Sequence, residues 1–375
     1  MKDSNTSRNI GIDILRGIAI LMVILLHLNL KIPFKETYLG SILPKRWYSL
    51  FFWSGFYGVV MFFVISGYLI THSALKKWGE LPKISIKHFY LMRFARIMPL
   101  LITLLLVLSV LHLSGVSGFV IHPEKTSLSR AIFAALTFHL NWLEIQVGYL
   151  PPNWDVLWSL SIEEVFYVFF PLLCFLVRRE WQFVLFISIF FVVSPWARTQ
   201  LFPGNELADK NHLAYIDAIA IGCMTALLAH RVKIGKKLKT GLLVLGWIFI
   251  VFILLFRKTS FQWGLTKNGL YITILALGVG MVLLWMHSRY QSKKQRPYLL
   301  FSWLEELGKH SYEIYLTHMF VVIALVNVFK ALDLSQLWIG PLYLCSIIFS
   351  LLLGKYLARY FTNPINHWLR KKWIP

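Results

Sequence analysis

The segment "IDILRGIAILMVILLHL", residues 12–28, sets the class of this chain. It is almost wholly apolar, and with its flanks it is long enough to cross a bilayer as a helix, which takes about 20 residues. Yet it holds Asp13, Arg16 and His27. Each ionisable group at the centre of a spanning helix costs roughly 2.5–3.5 kcal/mol on insertion scales, so a helix that served only as an anchor would carry none. At about 100° per residue, Arg16 and His27 differ by only about 20° around the helix, and Asp13 lies within about 60° of both. Along the axis, Arg16 and His27 stand roughly 16 Å apart. Taken singly, Arg16 is explained by snorkelling to cytoplasmic phosphates and His27 by the outer headgroup zone. Their common stripe is better explained by a protein-lined cavity.

The rest of the sequence extends this reading. Of 375 residues, 57% are hydrophobic and only 15% charged, with a mean hydropathy of +0.63, which is the composition of a polytopic membrane protein. Runs of suitable length predict an all-α bundle of about ten transmembrane helices, at 10–30, 50–72, 95–115, 156–177, 182–200, 212–230, 240–257, 269–288, 311–329 and 338–360. No internal repeat or low-complexity stretch divides the chain, so residues 1–375 are read as one membrane-embedded domain. A cytoplasmic N-terminus puts about two thirds of the 38 lysines and arginines on the inner side, and with ten spans both termini are then cytoplasmic. The formal charge of +21 does not point to nucleic acid, because the basic residues sit in short loops between apolar runs. Cys174, Cys223 and Cys345 fall inside apolar segments, which implies neither a disulfide framework nor a zinc site. "NLKIPFKETY", after the first span, offers no small-residue cleavage site, so that span is read as a retained anchor.

Further polar residues fall in or beside the spans. "VMFFVISGYLITH" carries Ser66 and Gly67, small residues that permit close helix packing. Arg93 and Arg96, at i, i+3 just before the expected third span, form a fork suited to phosphate oxygens, to which a helix N-terminus would add donors; positive-inside topology accounts for them equally. Glu163 and Glu164 lie early in the fourth span, with Tyr167 four residues after Glu163 on the same side; an acid there needs a cationic or hydrogen-bonding partner. Asp217 is another acid within a span, and "GKHSYEIYLTHMFVV" brings Tyr312, Glu313, Tyr315 and His318 into the ninth. The longest outer loop, 116–155, runs into "VGYLPPNWDVLW", where Asn153, Asp155 and Trp158 suit a sugar-binding ledge or an interfacial aromatic belt.

In this order the segments resemble acyltransferase family 3, integral membrane proteins that include bacterial O-acetyltransferases of cell-envelope polysaccharides. The most specific match is an arginine followed eleven residues later by a histidine, Arg16 and His27, preceded by Asp13 of the family's "D-x-x-R-G". The others are "F-F-x-I-S-G-Y-L", "R-x-x-R-I-x-P" at Arg93 to Pro99, "W-S-L-S-x-E-E-x-F-Y" at Trp158 to Tyr167, and "S-Y-x-x-Y-L-x-H" at Ser311 to His318. Two departures stand out. Met92 replaces an arginine that many relatives carry, and the extracytoplasmic hydrolase-like domain of some relatives is not expected in a chain that ends at Pro375, so either the membrane part suffices or a separate extracytoplasmic partner completes the reaction.

The resemblance implies a multi-pass protein of the bacterial cytoplasmic membrane. It implies transfer of an acyl group, acetyl by preference, from cytoplasmic acetyl-CoA to a hydroxyl of an envelope glycan or lipid-linked sugar, with no metal. On that reading Arg93, Arg96 and Arg16 hold coenzyme A phosphates. His27 is the base or forms an acyl intermediate, Asp13 fixes Arg16, and Glu163 orients His27. Tyr167, Trp158, Asp155, Tyr315 and His318 contact substrate, with Tyr167, Tyr315 and His318 as oxyanion donors. The rival class is a transporter or flippase using the same buried charges as a proton relay; no pair of broken helices in corresponding halves supports it.

Overall fold

The computed structural model describes residues 9–232, 235–290 and 301–373. Lys2, Arg8, Lys233 and the 291–300 part of the expected inner loop lie outside the described residues. Among those described, ten helices are long and apolar enough to cross a membrane, in the expected order. The helices that matter below are α1 (Ile10–Lys31), α2 (Gly55–Trp78), α3 (Ile86–Leu113), α4 (Leu157–Leu176), α5 (Glu180–Gln200), α6 (Ile216–Arg231), α7 (Lys236–Leu255), α8 (Leu270–Tyr290), a short α9 (Ser302–Lys309), α10 (Ser311–Ala331), α11 (Ile339–Leu357) and α12 (Asn363–Trp373).

Local chemistry sets several ends. The Asn9 side chain accepts from Gly11 and Ile12 at 3.1 and 3.4 Å and starts α1 with Asp13 in its first turn, where a carboxylate suits the positive end of the helix dipole. Gly79, at φ 79°, ends α2 in a conformation that an L side chain resists. The third helix departs from expectation. It begins at Ile86, with Ser85 as its cap, nine residues before the apolar run, because Phe89 already packs inward and nothing in Ile86–Ala95 breaks a helix. Arg93 and Arg96 therefore stand on the flank of an established helix, and the helix N-terminus contributes nothing to them.

Two close approaches organise the bundle. The central α2 has 78% of its apolar window buried, against 22% for the peripheral α7. It lies against α6 through Gly67 and Gly222: a Cβ at Gly67 would overlap the Ile219 carbonyl, and one at Gly222 the Val64 carbonyl. Likewise α9 lies on α1 through Gly17 and Gly308, whose Cβ atoms would strike the Leu304 and Asp13 carbonyls. Gly67→Ala is expected to lower stability by about 1–3 kcal/mol through overpacking against backbone. Gly241→Ala on α7, with nothing within 4 Å, should be neutral or mildly stabilising. Thermal unfolding of both variants in detergent checks this; equal midpoints would show that α2 and α6 can separate freely.

Beyond α11 the chain does not stop. Residues Ala358–Thr362 make one π-helical turn and lead into α12, which lies along α3. The predicted tenth span at 338–360 thus joins an amphipathic helix that ends in Arg370, Lys371 and Lys372.

Candidate functional site

Five helices, distant in sequence, enclose a cavity of about 170 Å³. Helix α1 contributes Arg16, α2 contributes Ser66, and α3 contributes Arg93 and Arg96. From α4 come Ser159, Glu163, Glu164 and Tyr167, and from α10 come Tyr312 and Tyr315. Val59, Phe62, Ile65 and Leu69 give one wall an apolar surface. The structure thus brings together six of the residues expected from the sequence: Arg16, Arg93, Arg96, Glu163, Tyr167 and Tyr315.

Their partners fix what each can do. Arg16 lies 3.8 Å from Asp13, the pairing expected one helical turn apart. The Arg93 guanidinium stacks 4.4 Å from the Tyr167 ring centre and makes no ion pair among the described residues. Arg96 differs: it is 3.0 Å from Glu313 Oε1, a carboxylate only 1% exposed, and lies 5.0 Å over Tyr312. The same Glu313 oxygen accepts from Thr362 at 2.8 Å, in the π-helical turn before α12. Ser66 donates to the Tyr167 hydroxyl, which donates to Glu163 Oε1. Glu163 therefore serves Tyr167, and the expectation that it orients His27 does not match the geometry.

His27 has another orienter. Its Nδ1 lies 3.0 Å from the Val23 carbonyl and 3.1 Å from Nε2 of His318, with ring centres 5.0 Å apart. On the far side, His318 Nδ1 faces the Ile314 and Tyr315 carbonyls at 3.1 and 2.8 Å. Carbonyls only accept, so His318 Nδ1 carries the proton and its Nε2 presents a lone pair. His27 Nδ1 must then carry a proton too, shared between the Val23 carbonyl and His318. By elimination the lone pair of neutral His27 sits on Nε2. The Val23 carbonyl directly, and two further carbonyls acting through one fully buried imidazole, set which nitrogen of His27 is the base. This role was absent from the sequence reading, because nothing in the primary structure pairs residues 291 apart.

The pair stands just behind the cavity. Tyr315 lines the cavity with one face, and its ring centre is 6.0 Å from that of His318. Its hydroxyl donates to the Val156 carbonyl at 3.0 Å and takes a hydrogen bond from Ser159 at 2.6 Å. The three expected oxyanion donors are thus otherwise engaged: Tyr167 with Glu163, Tyr315 with Val156, and His318 Nδ1 with backbone. Neither Asp155 nor Trp158 lines the cavity. The Lys210 ammonium bridges Asp155 at 2.5 Å and Glu144 at 2.8 Å, while Trp158 packs 5.6 Å from Tyr215 with Lys210 over its face. Burial alone would depress the Lys210 ammonium, but the two carboxylates outweigh it and hold it above the ordinary lysine range. Val156, next to Asp155, accepts from the Tyr315 hydroxyl, so this polar triad lies close to the histidine end of the site. Among the described residues, no group of three or more His, Cys, Asp or Glu side chains is placed to hold a metal ion.

Comparison with known proteins identifies relatives of this chain. O-acetyltransferase OatA of Staphylococcus aureus is 26% identical over 385 residues, a stretch covering 95% of this chain and 57% of the relative. A putative O-acetyltransferase of S. aureus strain COL is 29% identical over 341 residues, covering 84% of this chain and 51% of the relative. The chain therefore spans about half the length of the curated relatives it matches. No solved structure matches it. The profile described as an acyltransferase domain matches residues 9–360, which takes in every motif described above, and the chain belongs to that family, acyltransferase 3.

Proposed function

We propose that this protein is a membrane O-acyltransferase that moves an acetyl group from acetyl-CoA, entering from the cytoplasm, to a hydroxyl of an envelope glycan or lipid-linked sugar on the other side. The observation that supports it most is the His27–His318 pair, fixed in one tautomer directly behind a cavity lined by three guanidinium groups. The guanidinium groups of Arg16, Arg93 and Arg96 suit the phosphates of coenzyme A. The apolar wall suits its pantetheine arm, which carries the thioester toward Tyr315. The acceptor hydroxyl passes its proton to His27 Nε2 as its oxygen bonds to the thioester carbonyl carbon. When the tetrahedral intermediate collapses, the C–S bond breaks and the proton passes from Nε2 to the departing sulfur. His318 Nε2 accepts from His27 Nδ1 throughout, which stabilises the imidazolium.

Both ends of the chain face the cytoplasm of a bacterial inner membrane on this reading, as the lysine and arginine bias favours. That places Arg93 and Arg96 at the mouth that acetyl-CoA reaches first. The two are expected to behave differently. Arg93→Ala should raise KM for acetyl-CoA about tenfold or more with a smaller change in kcat. Arg96→Ala should also destabilise the fold, because it strips the partner from buried Glu313. Steady-state kinetics beside thermal unfolding separate the two.

The deciding experiment incubates proteoliposomes with radiolabelled acetyl-CoA and isolated envelope glycan. Label on the glycan supports transfer. Intact solute crossing the membrane without label transfer establishes the transporter instead.

A further inference from the structure

We propose that α12 belongs to the donor site, with Arg370 supplying a further guanidinium that binds a terminal phosphate monoester at the cavity mouth. This inference rests on the acetyl-CoA reading given above and extends it to a residue outside every motif in the sequence.

Arg370 is exposed, and it lies within electrostatic range of both Arg93 and Arg96. Lys77, at the end of α2, reaches Met92 Sδ on α3 at 3.4 Å and feels Arg370 in turn, so four cations from three helices lie in one neighbourhood. Like charges brought together in this way repel unless an anion joins them. Of the neighbouring carboxylates, Glu164 faces Arg93 from the cavity wall, and none forms an ion pair with Arg370 among the described residues. Glu313 is bound to Arg96 and Thr362, and Glu163 Oε1 takes the Tyr167 hydroxyl. Arg370 itself makes no ion pair among the described residues.

The position of Arg370 is built rather than incidental. The π-helical turn that launches α12 is tied through Thr362 and Glu313 to Arg96, so the helix and the arginine fork share one hydrogen-bonded node. Single π-turns inside longer helices recur at functional sites. At the other end, Trp373 packs 5.7 Å from Phe94 on α3, and Leu369, one turn earlier, is buried. These contacts turn one face of α12 toward Arg93 and Arg96. Lys372 lies instead over Trp368 of its own helix, at 5.2 Å. A guanidinium held at a rim of like charge is suited to a doubly charged phosphate monoester, which it can grip with two parallel hydrogen bonds. Coenzyme A carries such a group on its ribose, at the end of the molecule away from the thioester. With the thioester near Tyr315, that end falls at the mouth.

A lipid headgroup offers similar chemistry, and the test separates the two sources. The full-length protein in nanodiscs of zwitterionic lipid is titrated with coenzyme A and with its 3′-dephospho form. Wild type is expected to favour coenzyme A by about tenfold or more. R370A should lose most of that preference while binding the dephospho form as wild type does; R370K should recover part of it, and K371A should match wild type. If R370A retains the full preference, the assignment of α12 fails while the donor reading stands. If R370A differs from wild type only in nanodiscs containing phosphatidylglycerol, the phosphate belongs to lipid and the inference is overturned. If wild type binds neither nucleotide, the donor reading itself falls and takes this inference with it.

Discussion

Replacing His27 with alanine is expected to slow acetyl transfer by about 10²–10⁴-fold, the range that a positioned general base contributes. The loss should appear in kcat, because His27 lies behind Tyr315 and does not line the donor cavity. His318→Phe provides the sharper test. It keeps a ring of similar size but removes the Nε2 acceptor at 3.1 Å, leaving the Val23 carbonyl at 3.0 Å as the acceptor on His27 Nδ1. The imidazolium formed during transfer then lacks one of its two acceptors, and kcat should fall by about 10–10²-fold, the worth of one hydrogen bond to a charged group. KM for acetyl-CoA should hardly move. Single-turnover measurements of label transfer would show both effects. Full activity in either variant would mean that the acceptor proton goes elsewhere.

The second large effect concerns stability. In Lys210→Met the two carboxylates of Glu144 and Asp155 lose their shared cation, and Glu144 has no exposure to water. Breaking a buried pair from one side costs about 3–5 kcal/mol, because an uncompensated charge stays behind. A second substitution, Glu144→Gln, should recover much of the loss by removing one of the stranded charges. If the double variant is no more stable than K210M, the triad is not the source of the loss. The pH dependence follows from the raised Lys210. Its contribution is fully present below the ordinary lysine value near about 10.4 and is lost as pH rises through the higher folded value. Wild type should therefore lose this stabilisation only in strong alkali, whereas K210M should show no such step.

The sequence carried the membrane architecture almost completely, because each span is a run of apolar residues that can be recognised alone. What it misplaced was the start of α3, where cationic and aromatic residues continue a helix beyond the apolar stretch. The common face of Arg16 and His27 was legible from helical geometry, and so was the gathering of ionisable groups along a few spans. The pairing of those groups was not. His27 with His318, Arg96 with Glu313, and Lys210 with Asp155 each join elements whose adjacency depends on how whole helices pack. Glu163 shows the consequence: helical spacing already puts Tyr167 on its side, but whether His27 lies within its reach depends on packing, and its Oε1 goes to Tyr167. Arg370 was hidden for a different reason, because a basic residue at the end of a helix looks like ordinary topology.

Tyr315 separates the guanidinium-lined chamber from the two imidazoles, with its hydroxyl latched to Val156 and Ser159. A passage open from one face of the bilayer to the other, with protonatable rings along it, would conduct hydrogen ions and drain the energy stored across the membrane. A phenol standing between the halves leaves an insulated bulkhead at rest; on the proposed reading, what passes is only an acyl fragment handed from one compartment to the next.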